Sequence, residues 1–166
     1  MNRRHWWITA LLVVAATVGA AIMVTRDGSG PRQVDVAARG GRVMPFDLER
    51  TTHRFAKTTT GGVQTVVADD PSDTGQIRLV REHLTAENAR FRQGDFGDPT
   101  TIHGSAMPGL TALTAGYRRI TTTYAEQPDG ARIAYATDDP ALVDALHAWF
   151  DAQVSDHGAH AEHETA

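Results

Sequence analysis

Histidine is the side chain on which this sequence could build chemistry: eight of its 166 residues are His, and it has no cysteine. Without thiolates, the side-chain ligands left for a metal ion are imidazole, carboxylate oxygen and the methionine thioether. The stretch DPTTIHGSAMPG sets His103 and Met107 four residues apart, flanked by Gly104 and by Pro108-Gly109. Imidazole with thioether suits copper or haem iron, and glycine lets backbone come close to a bound cofactor. His147 and Asp151 are also four apart, the spacing that brings two side chains together on one helix face. A histidine oriented by a carboxylate serves both metal ligation and general-base catalysis. His157, His160 and His163 then recur toward the C-terminus, with Glu162 and Glu164 among them. The expected metal set is His103, Met107, His147, Asp151 and His157, with copper, zinc or haem as the bound species. His53 and His83 join it only if the fold brings them near.

Each of these residues also has a structural reading. Met107 can fill a core, and His147 borders an apolar stripe between Val143 and Phe150, where Asp151 would satisfy it. The terminal histidines can be a solvated tail, since ordering a mobile segment costs about 1–2 kcal/mol per residue. Other chemistries find no footing. There is no glycine-rich phosphate loop and no Gly-x-Ser-x-Gly elbow. No clustered acid and base stands out, so no enzyme class is indicated. A formal charge of −4 lacks the basic footprint of a nucleic-acid binder.

The elements that must position these residues follow from periodicity and turn chemistry. Residues 52–59 and 63–69 alternate and are rich in Thr and Val, with Thr60-Gly61-Gly62 between them as a hairpin turn. Asp73 with Gln76 looks like a capping box, and Ile77, Val80, Leu84 and Phe91 recur at helical spacing until Gly94. Pro99, Gly104, Pro108 and Gly109 predict mostly loop from 95 to 116, with a short helical turn near 110–115. Residues 118–126 and 131–137 read as a second hairpin around Pro128-Asp129-Gly130. Asp139-Pro140 opens a last helix, with Leu142, Val143, Leu146, Phe150 and Val154 as its apolar stripe and an end near Gly158. The order β-β-α-β-β-α predicts an α+β two-layer sandwich: a four-stranded, mostly antiparallel sheet with two helices on one face.

Ahead of this domain the chain differs in character. Residues 6–24 are uncharged and begin with Trp6-Trp7, after Arg3 and Arg4. A helix of that length nearly spans the roughly 30 Å hydrocarbon core of a bilayer, and positive charge favours the cytoplasmic side. The expected organisation is a cytoplasmic stretch 1–5, a transmembrane signal anchor 6–24 and a flexible linker 25–42. An extracytoplasmic domain 43–158 and a polar tail 159–166 would follow. The alternative is a cleaved signal peptide, for which Val18-Gly19-Ala20-Ala21 supplies small residues.

The phrases RVMPFDLERTTHRFAKTTTGGVQTVVADD, FRQGDFGDPTTIHGSAMPGL and ALHAWFDAQVSDHG resemble a group of small exported bacterial proteins often labelled "aspartate carbamoyltransferase". The resemblance covers residues 42–160 and implies that His53, His103, Met107, His147 and His157 lie inside the shared phrases. It implies no catalytic residues. Carbamoyl transfer is not expected, because the chain is about half the length of that enzyme and lacks its Ser-Thr-Arg-Thr phosphate stretch. Two functions remain from the residues: a membrane-anchored domain that binds a transition metal or haem through histidines, or a non-catalytic module that docks to an envelope protein. The second would use a flat polar sheet face carrying Gln64, Thr121 and Thr123.

Overall fold

A computed structural model describes residues 30–165. Two hairpins form where alternation and turn residues predict strands. The first pairs β1 (Thr51–Thr58) with β2 (Gly61–Ala68), and the second pairs β3 (Thr121–Gln127) with β4 (Gly130–Ala136). The first reversal falls on Thr59-Thr60, with Thr58 opposite Gly61. Gly61 and Gly62 serve packing more than the turn. A Cβ on Gly61 would lie 2.1 Å from the Tyr135 carbonyl oxygen, and one on Gly62 would lie 2.4 Å from the Phe150 ring.

Two long helices cover one face of the sheet. The first, spanning Thr74–Phe91, starts at Asp73, whose carboxylate accepts from the Gln76 amide. Gln76 does not close a capping box; its side chain accepts from the Asp47 amide instead. The second, spanning Pro140–His157, starts at Asp139, whose carboxylate accepts from the Ala141 amide. Tyr135 on β4 meets Phe91 of the first and both Trp149 and Phe150 of the second, so the two helices share a core.

The expectation of four strands and two helices is corrected to a five-stranded mixed sheet, order β3-β4-β2-β1-β5, and five helices among the described residues. The fifth strand, β5 (Ala161–Glu164), runs parallel to β1, pairing His53 with Ala161 and Ala56 with Glu164. It lies in the segment expected as a polar tail. Its sequence, Ala-Glu-His-Glu, has no apolar alternation to announce a strand; what holds it is backbone pairing to the otherwise open edge of β1. Residues expected as a flexible linker form α1 (Pro31–Val43), in which Val36 and Gly40 face inward one turn apart. Gly40 lets Met44 and Leu48 pack close to the helix backbone: a Cβ there would stand 2.8 Å from the Met44 methyl and 3.1 Å from Leu48. With α1 in place, the two long helices are α2 and α5. A short helix, α3 (Gly97–His103), occupies part of the stretch expected as mostly loop, and another, α4 (Leu110–Gly116), falls where a short helical turn was expected. Pro99 sits in the first turn of α3, where its missing N–H costs nothing, and Gly104 at φ +92° ends it.

No helix among the described residues is long and apolar enough to cross a membrane, and the run 6–24 lies outside them.

Candidate functional site

The inward stripes of three elements turn polar at one place. On β1 the buried side alternates Thr51, His53, Phe55. On α2 the stripe Ile77, Val80, Leu84, Phe91 is interrupted by buried Glu87. On α5 it runs Leu142, Leu146, Trp149 and then continues as Gln153, Asp156 and His157. This stripe is rotated from the expected one: Val143 and Val154 are only half-buried, while Trp149 and the polar residues point inward. His103, at the end of α3, completes the group.

His53, His103 and His157 are 3 %, 4 % and 8 % exposed. The rings of His53 and His157 stack with centroids 4.9 Å apart and planes within 8°. The His103 ring meets His157 edge-on at 5.0 Å. Together with Met44, His83, Glu87, Trp149 and Gln153 they line a cavity of about 40 Å³, room for roughly three waters at 10–15 Å³ each. Phe46 packs against both His53 and His83 at its border, with centroids 5.9 and 5.5 Å away.

Hydrogen bonds set the tautomers. Nδ1 of His103 lies 2.9 Å from Oδ2 of buried Asp156, so it donates, and its lone pair is left on Nε2. Asp156 is held in turn by Arg32 of α1, at 2.5 Å from Nε and 2.7 Å from Nη2. The same guanidinium donates to the His103 carbonyl, and Arg39 donates to the Ile102 carbonyl. Helix α1 therefore straps the end of α3 to the last turn of α5. Nδ1 of His53 is buried without a hydrogen-bond partner. The indole N–H of Trp149, also on the cavity, is a second buried group without a partner.

Burial keeps these imidazoles neutral. It depresses His53 to about 3, with the nearby His83, His103 and His160 adding repulsion. Burial likewise lowers His157, helped by His53 and His103, and lowers His103 against the opposing pull of Asp156. For Asp156, burial works against the charge, but hydrogen bonds from Arg32 and His103 outweigh it and hold the carboxyl below its usual range. At the other end of the cavity Glu87 is pushed up to about 8, first by burial and then by hydrogen bonding to Asp98. Arg90, 2.9 Å from Glu87 and paired with Asp98, opposes that shift.

The expected ligands divide. His103 and His157 come together as neighbours. Met107 is buried in the hydrophobic core and is not among the cavity's lining residues; Gly104 ends α3 before it, so the pair never shares a helix face. His147 and Asp151 do not pair. The His147 ring turns to the β1–β2 hairpin, its Nε2 3.1 Å from the Thr58 carbonyl and 2.9 Å from that of Gly61. Asp151 faces outward to Lys57 at 2.5 Å and His163 at 3.5 Å. His160 reaches Glu49 at 3.3 Å, so the terminal histidines diverge instead of wrapping one ion. Sequence reasoning left out Asp156, Glu87, Gln153 and Met44. A signal existed for the first three: each continues an apolar helical stripe with a polar side chain, at i+3 or i+4 from Leu84, Trp149 or Gln153.

Among the described residues, no three His, Asp or Glu side chains already stand in metal-binding geometry. The reason is visible in the rings. Imidazole lone pairs lie in the ring plane, so two rings within 8° of parallel cannot both aim at a point between them. No family model matches the chain, and no curated protein or solved structure matches it.

Proposed function

We propose that this domain binds one transition-metal ion in the cavity, with His53, His103 and His157 as ligands and Asp156 orienting His103. The observation that carries the reading is the convergence of three buried, neutral imidazoles from β1, α3 and α5 on one small space. With metal–nitrogen bonds near 2.0–2.1 Å, two imidazoles sharing an ion at a tetrahedral angle have ring centroids about 5 Å apart. The separations of 4.9 and 5.0 Å match that spacing, so loading requires rotation of a ring rather than movement of a helix. His157 is the ring to turn, being held by stacking against its neighbours and not by hydrogen bonds. Neutral imidazoles also spare the ion any competition with protons near pH 7. Haem is a poor occupant, because space for about three waters does not seat a porphyrin.

In this reading residues 6–24 tether the domain to a membrane, and the ion is held on the extracytoplasmic side. The test is titration of the full-length, metal-free chain with copper and zinc against competing chelators. One ion per chain, bound tighter than micromolar, is expected, with loss of 100-fold or more in His53→Gln/His103→Gln. Weaker binding in the wild type, or a double variant that binds equally well, would defeat the proposal. Circular dichroism checks that the variant is folded.

A further inference from the structure

Resting on the imidazole site just described, we propose that the Met44 thioether is its fourth ligand and that the ion is copper(I). Met44 follows α1 directly, is 7 % exposed, and lines the same cavity as His53, His103 and His157. Its terminal methyl packs over Gly40, in space that a Cβ would enter to 2.8 Å. The neighbouring Phe46 packs on the His53 ring, which ties the segment after α1 to the histidine cluster.

The charge of the ligand set selects the ion. Three neutral imidazoles and a thioether bring no negative charge. Asp156, which orients His103, is already engaged by His103 and Arg32. The rest of the lining is mainly Leu84, Phe91, Ile102 and Trp149, and its two carboxyl groups, Glu87 and Asp98, both pair with Arg90. Desolvation of an ion grows with the square of its charge, so a site whose ligands are all neutral and whose carboxyl groups are already paired penalises a divalent ion far more than a monovalent one. Thioether and imidazole are also soft or borderline donors that suit copper(I), whereas zinc gains little from thioether sulfur. Only binding is proposed; no electron is transferred at the site.

The experiment presents copper(I), kept reduced and buffered by a chromophoric chelator, to the full-length metal-free chain, with zinc(II) titrated in parallel. Met44→Leu should weaken copper(I) binding by 30-fold or more while leaving zinc affinity within about threefold. X-ray absorption at the copper edge should show one sulfur neighbour in the wild type and in Met107→Leu, and none in Met44→Leu. Gly40→Ala, which displaces the methionine, should reproduce the loss without altering any ligand. Tight copper(I) binding with nitrogen neighbours only, unchanged in Met44→Leu, would overturn the role of Met44 and leave the imidazole site standing. Absence of both copper and zinc binding would overturn the two together.

Discussion

Acid should unfold the metal-free domain through its buried histidines, well above the pH at which ordinary carboxylates titrate. His53 has a folded pKa of about 3 and an ordinary value of 6.5. Its folded form stays neutral while the unfolded chain takes up a proton. The stability tied to it is therefore complete above pH 6.5 and is lost progressively as pH falls toward 3. At pH 5 that loss is about 2 kcal/mol from His53 alone, at 1.36 kcal/mol per pH unit of proton uptake. His103 and His157 shift in the same direction and add to it. Glu87 works the other way. With a folded value of about 8 against an ordinary 4.5, it keeps a proton that the unfolded chain releases, so its contribution is present below 4.5 and lost as pH rises through 8. Near pH 5, His53 gains about one proton on unfolding and Glu87 loses most of one, so the uptake by His103 and His157 in the same direction as His53 makes the net slope positive with pH. Urea unfolding followed by far-ultraviolet circular dichroism at pH 7.5, 6 and 5 measures it. His53→Gln should cut the slope by about one proton, roughly 1.4 kcal/mol per pH unit. A stability that is flat from pH 7.5 to 5, or a slope untouched in His53→Gln, would show that the buried imidazoles do not drive acid unfolding.

Asp156→Ala leaves the His103 Nδ1–H and the Arg32 guanidinium without their shared partner, and should cost about 3 kcal/mol in urea unfolding. The same variant should lower metal affinity roughly 10- to 100-fold, as loss of a ligand's orienting carboxylate does. His147→Ala removes the ring that binds the Thr58 and Gly61 carbonyls; it should cost about 1 kcal/mol of stability and leave metal affinity unchanged. At pH 7, ion binding should expel a fraction of a proton from Glu87, read by calorimetry in buffers of different ionisation enthalpy, and Glu87→Gln should abolish it. Gly109→Ala places a Cβ 2.1 Å from the Ala145 carbonyl oxygen at φ +77° and should destabilise by roughly 2 kcal/mol or more.

Much of the scaffold was legible because its signals are local. The alternation of residues 52–69 and 118–137, the caps at Asp73 and Asp139, and the helical spacing from Ile77 to Phe91 each act over a few positions, and β1 to β4, α2 and α5 follow them. α1 was hidden by Gly40-Gly41, which reads as a spacer until Met44 and Leu48 are seen packed where a Cβ would be. β5 was hidden because an edge strand held by backbone pairing needs no apolar pattern. The same division runs through the site. His103 and His157 could be singled out by residue type, but the i,i+4 rule that coupled His147 to Asp151 failed, and so did the grouping of His103 with Met107 in one loop. In the first, the carbonyls of the β1–β2 turn outcompeted the neighbour on the helix. In the second, Gly104 ended the helix.

Residue types alone fix imidazole and thioether as the soft ligands available, and local patterning specifies β1 to β4, α2 and α5. Which histidines meet is a matter of long-range packing. His103 and Asp156 are 53 positions apart and bond at 2.9 Å, while His53 reaches the group from β1, between β2 and β5. Periodicity specifies which side of an element turns inward, but the partners found there depend on how the sheet is ordered and how α1 straps α3 to α5.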